Sequence, residues 1–151
     1  DIIEKQIDAV LSDIGADAVK IGMLSNSGII RAISKKLKYY KLKNIVLDPV
    51  MVAASGAKLL EDAAVDSLKK ELIPLALIVT PNILEAEVLT NKKIKNIKDA
   101  KNAAKEIIKL GCKNVLVKGG HLNTSNDEVT DVFYDGYNFA EIKIGWPNPK
   151  E

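Results

Sequence analysis

Apolar residues recur at helical spacing at Ile3, Ile7, Val10, Leu11 and Ile14, and Gly15 follows as a stop. Ala18 to Met23 reads as a short strand. Ser25, Asn26 and Ser27 offer N-caps for a second helix that gathers Ile29, Ile30, Ile33 and Leu37 on one face. Asn44 to Leu47 is a β-branched apolar run that stops at Asp48-Pro49, and a loop with Ser55-Gly56 as its turn follows. A third helix is predicted over Glu61–Leu72, with Val65, Leu68 and Leu72 inward, and a third strand over Leu75–Val79. A short helix then runs from Ile83 to about Leu89. Another spans Asp99–Leu110, closed by Gly111, and Asn114–Val117 is a fourth strand.

Four apolar strands that alternate with helices imply a mostly parallel sheet covered by helices on both faces, with right-handed crossovers. Beyond it, Asp131–Tyr134 and Tyr137–Ile144 read as a β-hairpin with Asp135-Gly136 as a tight turn. The expected organisation is one α/β unit over 1–144 and an irregular tail over 145–151.

The polar and glycine-containing clusters are placed informatively. Gly22-Met23-Leu24, Asp48-Pro49-Val50-Met51, Thr80-Pro81-Asn82 and Lys118-Gly119-Gly120-His121 each follow a strand. In a parallel sheet the carboxyl ends share one edge, where open α/β folds bind ligands. Lys118, Gly119 and Gly120 suit an anion: glycine lets backbone N–H groups come close, and lysine adds charge. The competing reading is a flexible turn beside a surface lysine; the P-loop spacing is absent. Asn82 and Glu85 have capping-box spacing, and the spacing alone favours a helix cap; the competing reading puts Glu85 in a Mg²⁺ shell beside nucleotide phosphates. Asp48 ends an apolar strand, so its carboxylate needs a pair, a cap or a cation. Met23 and Met51 could line an apolar pocket or fill the core. His121 is the only histidine, which excludes a Ser-His-Asp triad or a histidine-based metal cluster.

Composition narrows the classes further. The 151 residues are 47% apolar, enough for a core. The net charge of +2, with no basic stripe, argues neither for nor against nucleic acid, and no nucleic-acid partner is expected. Arg31 is the one arginine among 22 basic residues, which argues against bidentate phosphate clamps. A single cysteine, Cys112, reads as a small buried hydrophobe and fits a reducing, cytoplasmic setting. No apolar run is long enough to span a membrane.

Taken in order, four strings resemble the hydroxymethylpyrimidine/phosphomethylpyrimidine kinases of thiamine biosynthesis. They are Ala18-Val-Lys-Ile-Gly-Met-Leu24, Val46-Leu-Asp-Pro-Val-Met-Val-Ala-Ala-Ser-Gly56, Val79-Thr-Pro-Asn-Ile-Leu-Glu-Ala-Glu87 and Val115-Leu-Val-Lys-Gly-Gly-His121. The resemblance implies a three-layer, ribokinase-like α/β fold and transfer of the ATP γ-phosphoryl group to a pyrimidine and then to its monophosphate. It implies pyrimidine contacts at Met23 and Val50, and a Mg²⁺–phosphate region at Asn82 and Glu85. Lys118, with Gly119 and Gly120, would lie by the nucleotide phosphates. Asp48 and Thr80 match positions that hold a cation, monovalent in related vitamin kinases. Pyridoxal kinases share part of this pattern and give the alternative substrate. A non-catalytic nucleotide- or pyrimidine-binding remnant is the alternative of a different class. The family's N-terminal glycine-rich segment and C-terminal Gly-Thr-Gly-Cys motif have no match within 1–151. On the resemblance, therefore, no catalytic group is assigned here, and the chain is expected to be an incomplete kinase domain, nearly inactive alone. An uncovered sheet edge in such a fragment would also suit a homodimer.

Overall fold

The computed structural model describes residues 2–51, 59–120 and 128–145. The elements run α1 (Ile2–Leu11), β1 (Val19–Ile21), α2 (Ser27–Tyr39), β2 (Ile45–Leu47), α3 (Asp62–Ser67), β3 (Ile78–Val79), α4 (Ile83–Thr90), α5 (Ile97–Ile108), β4 (Asn114–Val117), β5 (Glu128–Tyr134) and β6 (Phe139–Gly145). Six strands form one sheet in the order β1-β2-β3-β4-β5-β6. The pairs from β1 to β4 are parallel, and β5 and β6 add an antiparallel hairpin.

Alternation along the strands shows where the core sits. Ile21, Ile45, Leu47, Val79, Val115, Val117 and Val132 are buried on one face of the sheet. Ile30 and Leu37 of α2, Ala64 and Val65 of α3, and Ala100, Ala103, Ala104 and Ile107 of α5 join the same cluster. Full burial of each large aliphatic side chain contributes about 1.5–3 kcal/mol. Between those positions lie Lys20, which is exposed, and Val46, Ile78 and Leu116, which are half-buried. Among the described residues the second face is thus less completely covered.

The caps follow the sequence. Asn26 Oδ1 accepts from the Ile29 amide at 3.0 Å and opens α2. Asn96 does the same for α5 through Asp99 N, and the helix starts at Ile97, two residues earlier than the periodicity suggests. Gly111, at φ +110°, turns the chain after α5 into β4.

Four local expectations change. The helix predicted over Glu61–Leu72 is α only through Ser67; Leu68–Leu72 is a π turn and Ile73–Leu75 a 3₁₀ turn. Pro74 has no N–H to give and its ring cannot continue the α spiral, so the last turns rearrange while Leu68, Leu72 and Ile73 all stay buried. For the same reason Leu75 lies in the 3₁₀ turn rather than in the third strand, whose ladder starts with Leu77 N donating to Ile45 O at 2.8 Å. The hairpin loop has four residues instead of two: Tyr134 pairs with Phe139. Asp135 Oδ1 accepts from the amides of Tyr137 (2.8 Å) and Asn138 (2.6 Å), and this carboxylate organises the wider turn. Strand β6 also includes Gly145, assigned from sequence to the tail. The Ser55-Gly56 turn, His121 and residues 146–151 lie outside the described residues.

Candidate active-site edge

The carboxyl ends of β1, β2, β3 and β4 share one edge, as parallel pairing requires. Past β3 and β4 a further parallel bridge joins Asn82 to Lys118, with Lys118 N donating to Pro81 O at 2.8 Å. That bridge fixes the start of α4 beside the lysine. Asp48 is tied to β1 by its own amide, which donates to Ile21 O at 2.8 Å.

These ties bring together groups far apart in sequence. Lys118 Nζ is 2.8 Å from Asp48 Oδ1, and Thr80 Oγ1 donates to the same oxygen at 3.3 Å. Lys20 Nζ lies 3.4 Å from the other oxygen, Oδ2. Burial raises the Asp48 pKa, but the Lys118 and Lys20 ammonium groups outweigh it, and the carboxyl is held below its ordinary range. Both oxygens of Asp48 are therefore already engaged by cationic or hydroxyl donors. Thr80 and Lys118 thus reach one oxygen of Asp48 from the ends of two neighbouring strands.

Glu85 is only 3% exposed. Its Oε2 accepts from Asn82 N at 2.8 Å, while Asn82 Oδ1 accepts from Glu85 N at 2.9 Å. The capping box is thus complete. Burial pushes the Glu85 carboxyl up from its ordinary value, opposed by the Asn82 amide and the Lys118 charge. A buried carboxylate with a raised pKa, next to a lysine, is more than a helix cap requires. No group of three His, Cys, Asp or Glu side chains is placed to hold a metal among the described residues. One carboxylate nevertheless fits Mg²⁺, which takes most of its ligands from water and substrate phosphates.

The glycines divide. Gly119 N is not free for an anion: it donates to Asp131 Oδ1 at 2.8 Å, and a Cβ there would overlap the Thr130 carbonyl. The expectation of a phosphate-binding amide at Gly119 is thereby corrected; glycine stands here because β5 passes too close for a side chain. Gly120 is exposed with open space around it. Met23, 68% exposed, follows β1, and Val50, half-buried, follows β2, so both stand at this edge. Met51 is core, at 1% exposure. Cys112 is buried, with its pKa raised to about 11 by desolvation, an inert thiol.

Sequence reasoning missed Lys20 and Asp131. A lysine inside the apolar run Ala18–Met23 was a visible signal for the first; Asp131 gave none, because its partner is the backbone amide of Gly119, just past the end of β4.

The mixed six-stranded α/β sheet, with polar groups gathered at the carboxyl ends of its parallel strands, has ribokinase-like architecture. The phosphomethylpyrimidine kinase family model matches residues 1–150. The chain belongs to the phosphomethylpyrimidine kinase family. It is 42% identical over 148 residues to the hydroxymethylpyrimidine/phosphomethylpyrimidine kinase of Bacillus subtilis, covering 98% of this chain and 54% of that protein. The crystal structure of phosphomethylpyrimidine kinase from Clostridium difficile superposes with a TM-score of 0.85 at 49% identity, covering 93% of this chain and 59% of that one. A pyridoxal kinase from Staphylococcus aureus, in complex with AMP-PCP, gives 0.83 at 36% identity, covering 94% and 50%. The chain spans about half the length of the curated relatives it matches.

Proposed function

We propose that the full-length protein transfers the ATP γ-phosphoryl group to hydroxymethylpyrimidine and then to its monophosphate, and that this chain supplies the phosphate-facing edge of that site. The observation that carries the reading is the joint placement of Lys118, Asp48, Asn82 and Glu85 at one sheet edge in a chain of this family. Lys118 is 39% exposed and fixed at its backbone by the bridge to Asn82, so its ammonium group can meet a nucleotide phosphate without ordering a loop. Asp48 acts as its counter-ion and steers it. Glu85 holds the metal-facing position, and its capping bonds to Asn82 keep the carboxylate from rotating away. Mg²⁺, when bound, neutralises phosphate charge during transfer. Met23 and Val50, at the ends of neighbouring strands, form the acceptor side. Catalysis of this kind is positioning and charge stabilisation rather than covalent chemistry.

The test is ATP-dependent phosphorylation by the full-length protein with hydroxymethylpyrimidine and pyridoxal as competing acceptors. The expected result is a kcat/KM at least about tenfold higher for the pyrimidine, a difference of about 1.4 kcal/mol in transition-state binding. Preference for pyridoxal would transfer the assignment to the second vitamin, which the pyridoxal kinase likeness keeps in play. Saturable binding of both ligands with no turnover would replace the kinase with a binding module.

A further inference from the structure

Lys20 is not needed to build the sheet. Its side chain is 68% exposed, and it interrupts an otherwise apolar strand. In β1 it pairs in register with Val46, on the face opposite to the buried Ile21 and Leu47. From there its ammonium group reaches the carboxyl edge and lies 3.4 Å from Asp48 Oδ2, while Lys118 holds Oδ1 at 2.8 Å. One carboxylate thus sits between two ammonium groups that use different oxygens. The Asp48 backbone is anchored to β1 through Ile21 O, so the carboxylate cannot drift far toward either lysine.

The charge count has a consequence. A Lys118–Asp48 pair alone is neutral and would hold Lys118 in a closed ion pair. With Lys20 added, the three side chains carry a net +1, and the Asp48 charge is divided between two partners. We infer that Lys20 is a positioning residue of the phosphate site: it holds Asp48 from the β1 side and so leaves the Lys118 ammonium group available to an anionic nucleotide. Lys20 acts through Asp48 and does not itself touch the nucleotide. This inference rests on the assignment of Lys118 to the nucleotide phosphates.

The experiment is a double-mutant cycle in the full-length protein, reading the KM for ATP, the KM for the acceptor, kcat and the melting temperature. Lys20→Met is expected to raise the KM for ATP by about two- to fivefold, the scale of an exposed ion pair, with the acceptor KM and the melting temperature unchanged. Lys20→Arg, which keeps the charge, is expected to restore the ATP KM. In an Asp48→Asn background, Lys20→Met is expected to have no further effect, because its partner has gone. An equal effect of Lys20→Met with and without Asp48 would mean that Lys20 meets the ligand directly and would overturn the inference. So would an ATP KM unchanged by Lys20→Met, or a parallel rise of both KM values with a lower melting temperature. Lys118→Met serves as the control: if it leaves the ATP KM unaltered, the phosphate assignment itself fails. If Lys118→Met raises it and Lys20→Met does not, only the role of Lys20 fails.

Discussion

Lys118 Nζ and Asp48 Oδ1 lie 2.8 Å apart although 70 positions separate the two residues in the chain. The pair closes across β3, since Asp48 follows β2 and Lys118 follows β4, and Thr80 at the end of β3 donates into the gap between them. Three consecutive strand ends therefore share one carboxylate. That arrangement ties the chemistry of the edge to the register of the sheet.

The pair should be visible in the pH dependence of stability. The Asp48 pKa is depressed in the folded protein relative to its ordinary 3.8, so its stabilisation is present above that value and is lost as the pH falls through the lower, folded value. Asp48→Asn is expected to lower stability by about 1 kcal/mol at neutral pH. The gap to the unsubstituted protein should close as the pH drops below 3.8. Thermal unfolding across that range checks this; a gap that stays constant in acid would show that the carboxylate charge is not its source.

Glu85 has the opposite sign. Its folded pKa is raised above the ordinary 4.5, so folding favours the protonated form, and the stability present in acid is lost as the pH rises through the folded value. Gln can make the same capping bond without the buried charge. Glu85→Gln should therefore match the unsubstituted protein near pH 4.5 and equal or exceed it at neutral pH, by up to about 1 kcal/mol. Mg²⁺-dependent turnover of the full-length protein should fall at least about tenfold. A variant that loses stability and keeps its activity would reduce Glu85 to a helix cap.

Gly119 and Gly120 are neighbours with different reasons to be glycine. Gly119→Ala places a methyl group against the Thr130 backbone, which cannot give way without parting β4 from β5. A loss of several kcal/mol is expected, seen as a large drop in melting temperature or in soluble yield. Gly120→Ala meets open space and should change stability by less than about 0.5 kcal/mol. Equal tolerance at both positions would contradict the close approach of β5.

Asn82→Ala removes the acceptor for the Glu85 amide and should cost about 1 kcal/mol in denaturant unfolding. Because the Glu85 carboxylate also bonds to the Asn82 amide, which alanine retains, half of the box survives. Asn82→Asp, which caps equally well, should restore stability. If it leaves activity low, the amide rather than the cap matters at the phosphate site.

Much of this was legible in the sequence, for identifiable reasons. Helix and strand positions follow from period and from caps such as Asn26 and Asn82, which act within three or four residues of chain. The shared edge follows from one rule: parallel strands present all their carboxyl ends together, so Thr80 and Lys118 were expected at the same edge, and the strand order then made them neighbours. The departures lie where local pattern meets a competing demand. Pro74 ends α3 by a π turn and a 3₁₀ turn because it lacks an N–H. Asp135 widens the hairpin loop because its carboxylate satisfies two amides at once.

The sequence by itself determined the family, the α/β alternation, the capping box and the set of polar clusters that follow the strands, because each is written in neighbouring residues or in the order of motifs. Only the tertiary structure decided which partner each polar group takes. It gave Asp48 two lysines, spent the Gly119 amide on Asp131, and buried Glu85 deeply enough to raise its pKa. Those outcomes depend on distances between strands and on exclusion of water, and neither is set by any local stretch of the chain.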